Sequence, residues 1–137
     1  ILKKSVLRRL RAMSNDEISK IVLVGHCGPD EWMLRSAISR ALPNIEITTV
    51  NDEKGLSDYQ QEGHLHLMNR TLDGDFSVSL AVDLIADTVE SGARVMLISN
   101  FEDAQQAAIS VGAHRGFGKS DVNATATADL LRTAVQR

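Results

Sequence analysis

Three short apolar runs constrain this chain more than anything else in it. They are Ile21-Val22-Leu23-Val24, Leu65-His66-Leu67-Met68 and Val95-Met96-Leu97-Ile98. A strand with one wet face alternates apolar and polar residues, whereas a strand covered on both faces reads as a nearly continuous apolar run. Ile45 to Val50 and a short stretch near Arg115 to Gly118 complete a set of five expected strands. Helical spacing fills the intervals. Pro29 and Asp30 open a helix that runs to about Leu42, where Pro43-Asn44 breaks it. A short helix is expected over Leu56 to Glu62, and longer ones over Val78 to Glu90, Glu102 to Val111 and Val122 to Val135. Gly92 and Gly112 stand where two of them should stop. Strand and helix therefore alternate five times. That order calls for a parallel sheet between two helical layers, joined by right-handed crossovers.

The 137 residues suffice for one domain with a core, and the hydrophobic fraction of 43% is that of an ordinary globular chain. A formal net charge of -3 offers no general attraction to nucleic acid or to an anionic membrane. Cys27 is the only cysteine, so no internal disulfide exists and a reducing, cytoplasmic setting is the simplest reading. No apolar run is long enough to span a bilayer. Residues 1–15 form a separate amphipathic segment. Leu2, Val6, Leu7, Leu10 and Met13 share one helical face, while Lys3, Lys4, Arg8, Arg9 and Arg11 cover much of the rest. It reads as a linker or accessory helix, with a membrane-surface or partner-binding helix as the alternative. Met13-Ser14-Asn15-Asp16 also reads as a possible internal start.

Several chemistries are excluded by spacing. Gly116-Phe117-Gly118-Lys119-Ser120 lacks the P-loop interval, and Gly25-His26-Cys27-Gly28 is not the dinucleotide fingerprint. No Gly-x-Ser-x-Gly elbow occurs. His64 and His66 share a strand face and His26 ends a neighbouring strand, but three or four ligands must converge on a metal, and these do not. No metal or other cofactor is expected. Cys27 is either a small packing residue or a thiol favoured as thiolate by the helix that follows.

In a parallel sheet of this kind the functional groups gather at the carboxyl ends of the strands. There the chain places Asn69, Ser99 and Lys119 on the third, fourth and fifth strands. With Asp73-Gly74 in the following loop and the Ala-rich helix closing on Gly112-Ala113, this arrangement resembles the CheY-like receiver domains of two-component response regulators. The resemblance covers about Lys20 to Val135. It implies a flavodoxin-like α/β three-layer sandwich, strand order 2-1-3-4-5, over residues 16–137. In that family the third strand ends in a phosphorylated aspartate, the fourth in Ser or Thr and the fifth in Lys.

The departures are equally specific. Asn69 stands at the acceptor position, and a neutral amide lacks the negative oxygen that attacks phosphorus. Gly25 and His26 occupy the region of the magnesium-binding acidic pair, with no carboxylate before Asp30. Gly116 falls at the position of the switch aromatic, and Phe117 comes one residue later, facing the other way. The expectation is a degenerate pseudo-receiver, not an enzyme, in which Asn69 hydrogen-bonds Lys119 with Ser99 nearby. Lys119 is left to bind an anion or to reach Asp30 or Asp52. The resemblance also implies a protein partner or homodimer on the last helices and fifth strand, around Ala104, Ala108, Phe117 and Val122. The alternatives are a small-molecule or anion-binding module using the Gly25–Pro29 turn and Lys119, or phosphotransfer through Asp73 or Asp75.

Overall fold

A computed structural model describes residues 17–136. Five strands form one sheet: β1 (Lys20–Val24), β2 (Glu46–Val50), β3 (His64–Asn69), β4 (Arg94–Ile98) and β5 (His114–Phe117). All neighbours are parallel and the order is β2-β1-β3-β4-β5. The helices are α1 (Gly28–Ala41), α2 (Glu53–Ser57), α3 (Val82–Glu90), α4 (Glu102–Ser110) and α5 (Thr125–Val135). The expected flavodoxin-like architecture and strand order are both observed. The expected N-terminal helix falls outside the described residues.

Alternation within the runs divides the core into two. Ile21, Leu23, Leu65, Leu67, Met96 and Ile98 face one side, where Leu34 and Ile38 of α1 and Leu131 and Ala134 of α5 pack on them. Val22, Val24, Met68, Val95 and Leu97 face the other, under Leu56 of α2, Ile85 of α3 and Ala108 of α4. Each fully buried aliphatic side chain stabilises the fold by about 1.5–3 kcal/mol, so both layers are required.

Three helices begin or end differently from the sequence expectation, each for a local reason. Helix α2 covers Glu53–Ser57 instead of Leu56 to Glu62, because the Asp52 carboxylate caps it by accepting from the Gly55 amide at 2.6 Å. Helix α3 starts at Val82 instead of Val78. Residues before it are held in a loop, with Leu72 donating to the Ser79 carbonyl, Ala81 donating to that of Arg70, and Thr71 bridging Leu80 antiparallel. Helix α5 starts at Thr125, after a 3₁₀ turn over Lys119–Asp121 whose Asp121 carbonyl accepts from the Thr127 hydroxyl at 2.6 Å.

The loop entering β3 is fixed by two histidines. His64 Nδ1 and His66 Nε2 both donate to the Tyr59 carbonyl, at 2.9 and 2.8 Å. His66 is fully buried, and its Nδ1 has no partner among the described residues. Burial holds its pKa at about 4, against an ordinary value of 6.5. Because the unfolded chain binds this proton more readily, stability is fully present above pH ~6.5 and is lost as pH falls toward ~4. At ~1.4 kcal/mol per pH unit the loss is on the order of 3 kcal/mol. Burial also lowers the pKa of His26 and His114, which act in the same direction. Urea unfolding at pH 7 and pH 5 should therefore show a lower midpoint at pH 5. The variant His66→Leu should flatten, though not abolish, that dependence, and a wild-type midpoint that rises on acidification would refute the assignment.

Candidate functional site

The carboxyl edge of the sheet is built from the ends of β1, β3, β4 and β5. At the end of β1, Gly25 adopts φ 73, a left-handed conformation that glycine alone reaches without strain. A Cβ there would lie 2.7 Å from Leu72 Cδ2 and 3.1 Å from the Leu72 Cα. The loop after β3 thus lies directly over this turn, and the Asp73 amide donates to the Gly25 carbonyl at 2.9 Å. The Gly25–Pro29 turn, expected as a ligand site in the alternative reading, is overlaid by Leu72 at Gly25.

His26 is buried and turns back into the sheet, where Nε2–H donates to the Leu67 carbonyl at 2.8 Å. Its Nδ1 has no partner among the described residues, and burial keeps the ring neutral by lowering its pKa. Cys27 caps α1 by position and is half-buried. In the first turn of α1, Asp30 forms an ion pair with Lys119, with Nζ 2.5 Å from Oδ2. The lysine N–H holds the Asp30 carboxyl below its ordinary range, helped by the Cys27 thiol and opposed by desolvation. Glu31 is likewise lowered, first by the Thr49 hydroxyl and then by Arg35, whose Nε donates at 2.9 Å. Of the two acids that sequence offered to Lys119, the structure selects Asp30.

Asn69, Ser99 and Lys119 do line one cleft, of about 200 Å³, together with Arg70, Asn100 and Phe101. The expected hydrogen bond between Asn69 and Lys119 is replaced by two separate contacts. Asn69 Nδ2 donates to the Thr71 carbonyl at 2.7 Å, while Lys119 turns to Asp30. The backbone carbonyl of Thr71 takes up the Asn69 amide nitrogen, and the full charge of Asp30 is the stronger partner for an ammonium. Ser99 is buried, with its hydroxyl oxygen accepting from the Phe101 amide at 3.1 Å.

Gly116 sits where the β4–β5 register shifts, between the pairs Met96–His114 and Ile98–Phe117. A Cβ at 116 would be 2.0 Å from the Leu97 carbonyl oxygen, so this position tolerates no side chain. The polar groups freed by the bulge are taken up by Gln105, itself 3% exposed. Its Nε2 donates to the carbonyls of Leu97 at 2.9 Å and Ser99 at 3.1 Å, and its Oε1 accepts from the Gly116 amide at 3.0 Å. One side chain therefore ties α4 to the ends of both β4 and β5.

The expected docking residues are corrected by their burial. Ala108 lies on the buried face of α4, and Phe117 and Val122 belong to the core with Leu131. Ala104 is half-buried against the Ala108 cluster. Their apolar character serves packing, so Ala108, Phe117 and Val122 offer no surface. Sequence reasoning missed Gln105 and Leu72, and gave no role to Arg70 and Asn100, which follow Asn69 and Ser99 at the strand ends. Gln105 carried a readable signal, as a polar residue at helical spacing among Phe101, Ala104 and Ala108.

No group of three or more His, Cys, Asp or Glu that could hold a metal occurs among the described residues. Nor, among them, is any helix long and apolar enough to cross a membrane.

No family model matches the sequence. No curated protein matches it either. Solved structures are similar in fold. A response regulator receiver domain from Rhodospirillum rubrum aligns with TM-score 0.57 at 17% identity, covering 83% of this chain and 89% of its own. The signal receiver domain of a DNA-binding response regulator from Colwellia psychrerythraea 34H gives TM-score 0.62 at 13% identity, with 88% and 100% covered. That of the putative response regulator NarL from Mycobacterium tuberculosis gives 0.57 at 17%, with 88% and 99% covered. The chain thus has the receiver fold.

The Gln105 tie is directly testable. Gln105→Leu keeps the volume but strands the Gly116 amide and removes a donor from two carbonyls. A buried unsatisfied group costs about 1–3 kcal/mol, so the variant should lose roughly 2–4 kcal/mol in chemical denaturation. A loss below ~0.5 kcal/mol would show that the three contacts do not hold the bulge.

Proposed function

We propose that this chain is a receiver-type signal-transduction module of the two-component kind that acts through protein contacts without aspartyl phosphorylation. The observation that carries this reading is Asn69, an amide at the end of β3 committed to the Thr71 carbonyl, in a cleft where Lys119 is already neutralised by Asp30. Catalysed phosphoryl transfer in such a site would need a carboxylate nucleophile and a metal held by further carboxylates. Gly25, strained for any other residue and covered by Leu72, supports the same reading, as does the Gln105 tie at the bulge where an aromatic would otherwise swing. The module is read as non-enzymatic, cytoplasmic and free of cofactors.

The receiver fold of the neighbours favours this over the small-molecule reading. Partner contact is placed on the face between α4 and α5, where a groove of about 410 Å³ lies among Glu102, Arg115, Gly118, Ala126 and Leu130. A second copy is the simplest occupant. Sedimentation of the chain and of Arg115→Glu checks this: the substitution should reduce self-association, and an associating chain left unchanged by it would move the contact elsewhere.

The central claim is tested with a small phosphodonor and magnesium. Intact mass should show no phosphoryl adduct on the wild-type chain. Asn69→Asp alone should also remain unmodified, since the metal-binding carboxylates at Gly25 and His26 are still missing. An acid-labile, hydroxylamine-sensitive adduct on the wild-type chain, at Asp73, Asp75 or elsewhere, would overturn the proposal.

A further inference from the structure

We propose that residues 1–16 seat their apolar face in a groove of their own domain, at the amino end of the sheet between the C-terminal ends of α1 and α5. The groove holds about 560 Å³ among Glu17, Ile18, Leu42, Pro43, Ile45 and Val135. Leu42 and Ile45 pack against the core but stay only partly buried, and Pro43 is exposed. Arg132 ties the two helices together here, its Nε donating to the Ala41 carbonyl at 3.3 Å. The described residues thus leave an apolar recess open to water at this end of the α1–α5 seam, and such recesses mark contact sites.

Three observations select this occupant. The first is where the chain leaves the groove. The Ile18 amide donates to the Val135 carbonyl at 2.8 Å and the Ser19 amide to the Gly63 carbonyl at 2.9 Å, so the segment is delivered at the groove wall itself. Only Ser14-Asn15-Asp16 separates Met13 from Glu17, a span of about 14 Å at most. A tether this short makes the contact intramolecular, whereas a second copy would bear the full entropic cost of association. The second is pattern. Leu2, Val6, Leu7, Leu10 and Met13 share one face at helical spacing, a stripe about 17 Å long. The third is charge. Residues 1–16 hold five Lys or Arg and one Asp, a formal +4; residues 17–137 hold ten Lys or Arg and seventeen Asp or Glu, a formal −7. Segment and domain therefore attract. This contact lies at the opposite end of the sheet from Asn69 and holds whether or not the chain accepts a phosphoryl group.

Paramagnetic relaxation enhancement in the full chain tests it. Cys27→Ser removes the native thiol, and Ser5→Cys, on the polar side of the helical pattern, carries a nitroxide. The amides of Leu42, Asn44, Ile45 and Gln136 should lose most of their intensity, while those of Asn69 and Lys119 at the far edge should keep theirs. Leu7→Asp with Leu10→Asp should restore the lost intensity, because it breaks the apolar stripe without altering any described residue. A spin-labelled chain at natural isotope abundance, mixed with an isotope-enriched chain lacking the label, should cause no loss. Loss that persists in the double variant, or that spreads over the surface without centring on the groove, would overturn the proposal. So would loss confined to the mixture, which would give the groove to a second copy. An undisturbed groove would overturn it too, and binding of the segment to phosphatidylserine vesicles in that case would assign it to a membrane surface.

Discussion

Burial of both faces of the parallel sheet is the constraint from which the rest follows. With α1 and α5 on one side and α2, α3 and α4 on the other, the strand interiors are closed to water. Polar side chains must then either be satisfied in place, as Gln105 is by the Leu97 and Ser99 carbonyls and the Gly116 amide, or move to the strand ends. Asn69, Ser99, Asn100 and Lys119 all occupy the carboxyl ends and share one cleft there. Helix contacts set where the edge lies; the edge sets which groups can meet.

The fold was legible in the sequence because it rests on a periodicity. Runs such as Ile21–Val24 and Val95–Ile98 declare two-sided burial without knowledge of their neighbours. Helix starts were less legible because they depend on single side chains and on loops. Asp52 moved α2 forward, and pairing of Thr71 with Leu80 delayed α3. The site was legible in its membership and not in its bonding. The sequence places Asn69 and Lys119 near one another, but which partner each takes is a competition among groups up to 89 residues apart, as with Lys119 and Asp30. The apolar residues expected on a docking face failed for a related reason: burial of Ala108, Phe117 and Val122 depends on the layer above them, which no local pattern reports.

The charges at the edge form a consistent set. A lysine beside a neutral amide would be an uncompensated charge at a partly buried site. Asp30, in the first turn of α1, supplies the counter-charge, and its position near a helix N-terminus suits a carboxylate independently. The pair is partly exposed, so it contributes on the order of 1 kcal/mol at most to stability. Its larger effect is to fix the direction of Lys119, which separates the lysine from Asn69 and leaves Arg70 as the unpaired cation of the cleft.

On the proposed reading, an aspartate at position 69 would not by itself make a phosphorylation site, because three other features oppose it in different ways. The backbone at Gly25 has φ 73 and lies under Leu72, so an aspartate there meets both strain and collision. Gly116 abuts the Leu97 carbonyl, so an aromatic there has no room, while Gln105 holds the strand ends that such a residue would need to move between. Lys119 would have to leave Asp30. Backbone conformation, packing and charge each favour the present arrangement separately. Asn69, the turn at Gly25 and the bulge bridged by Gln105 thus hold one edge of the sheet by three independent means, which is the arrangement the proposed phosphorylation-independent module would use.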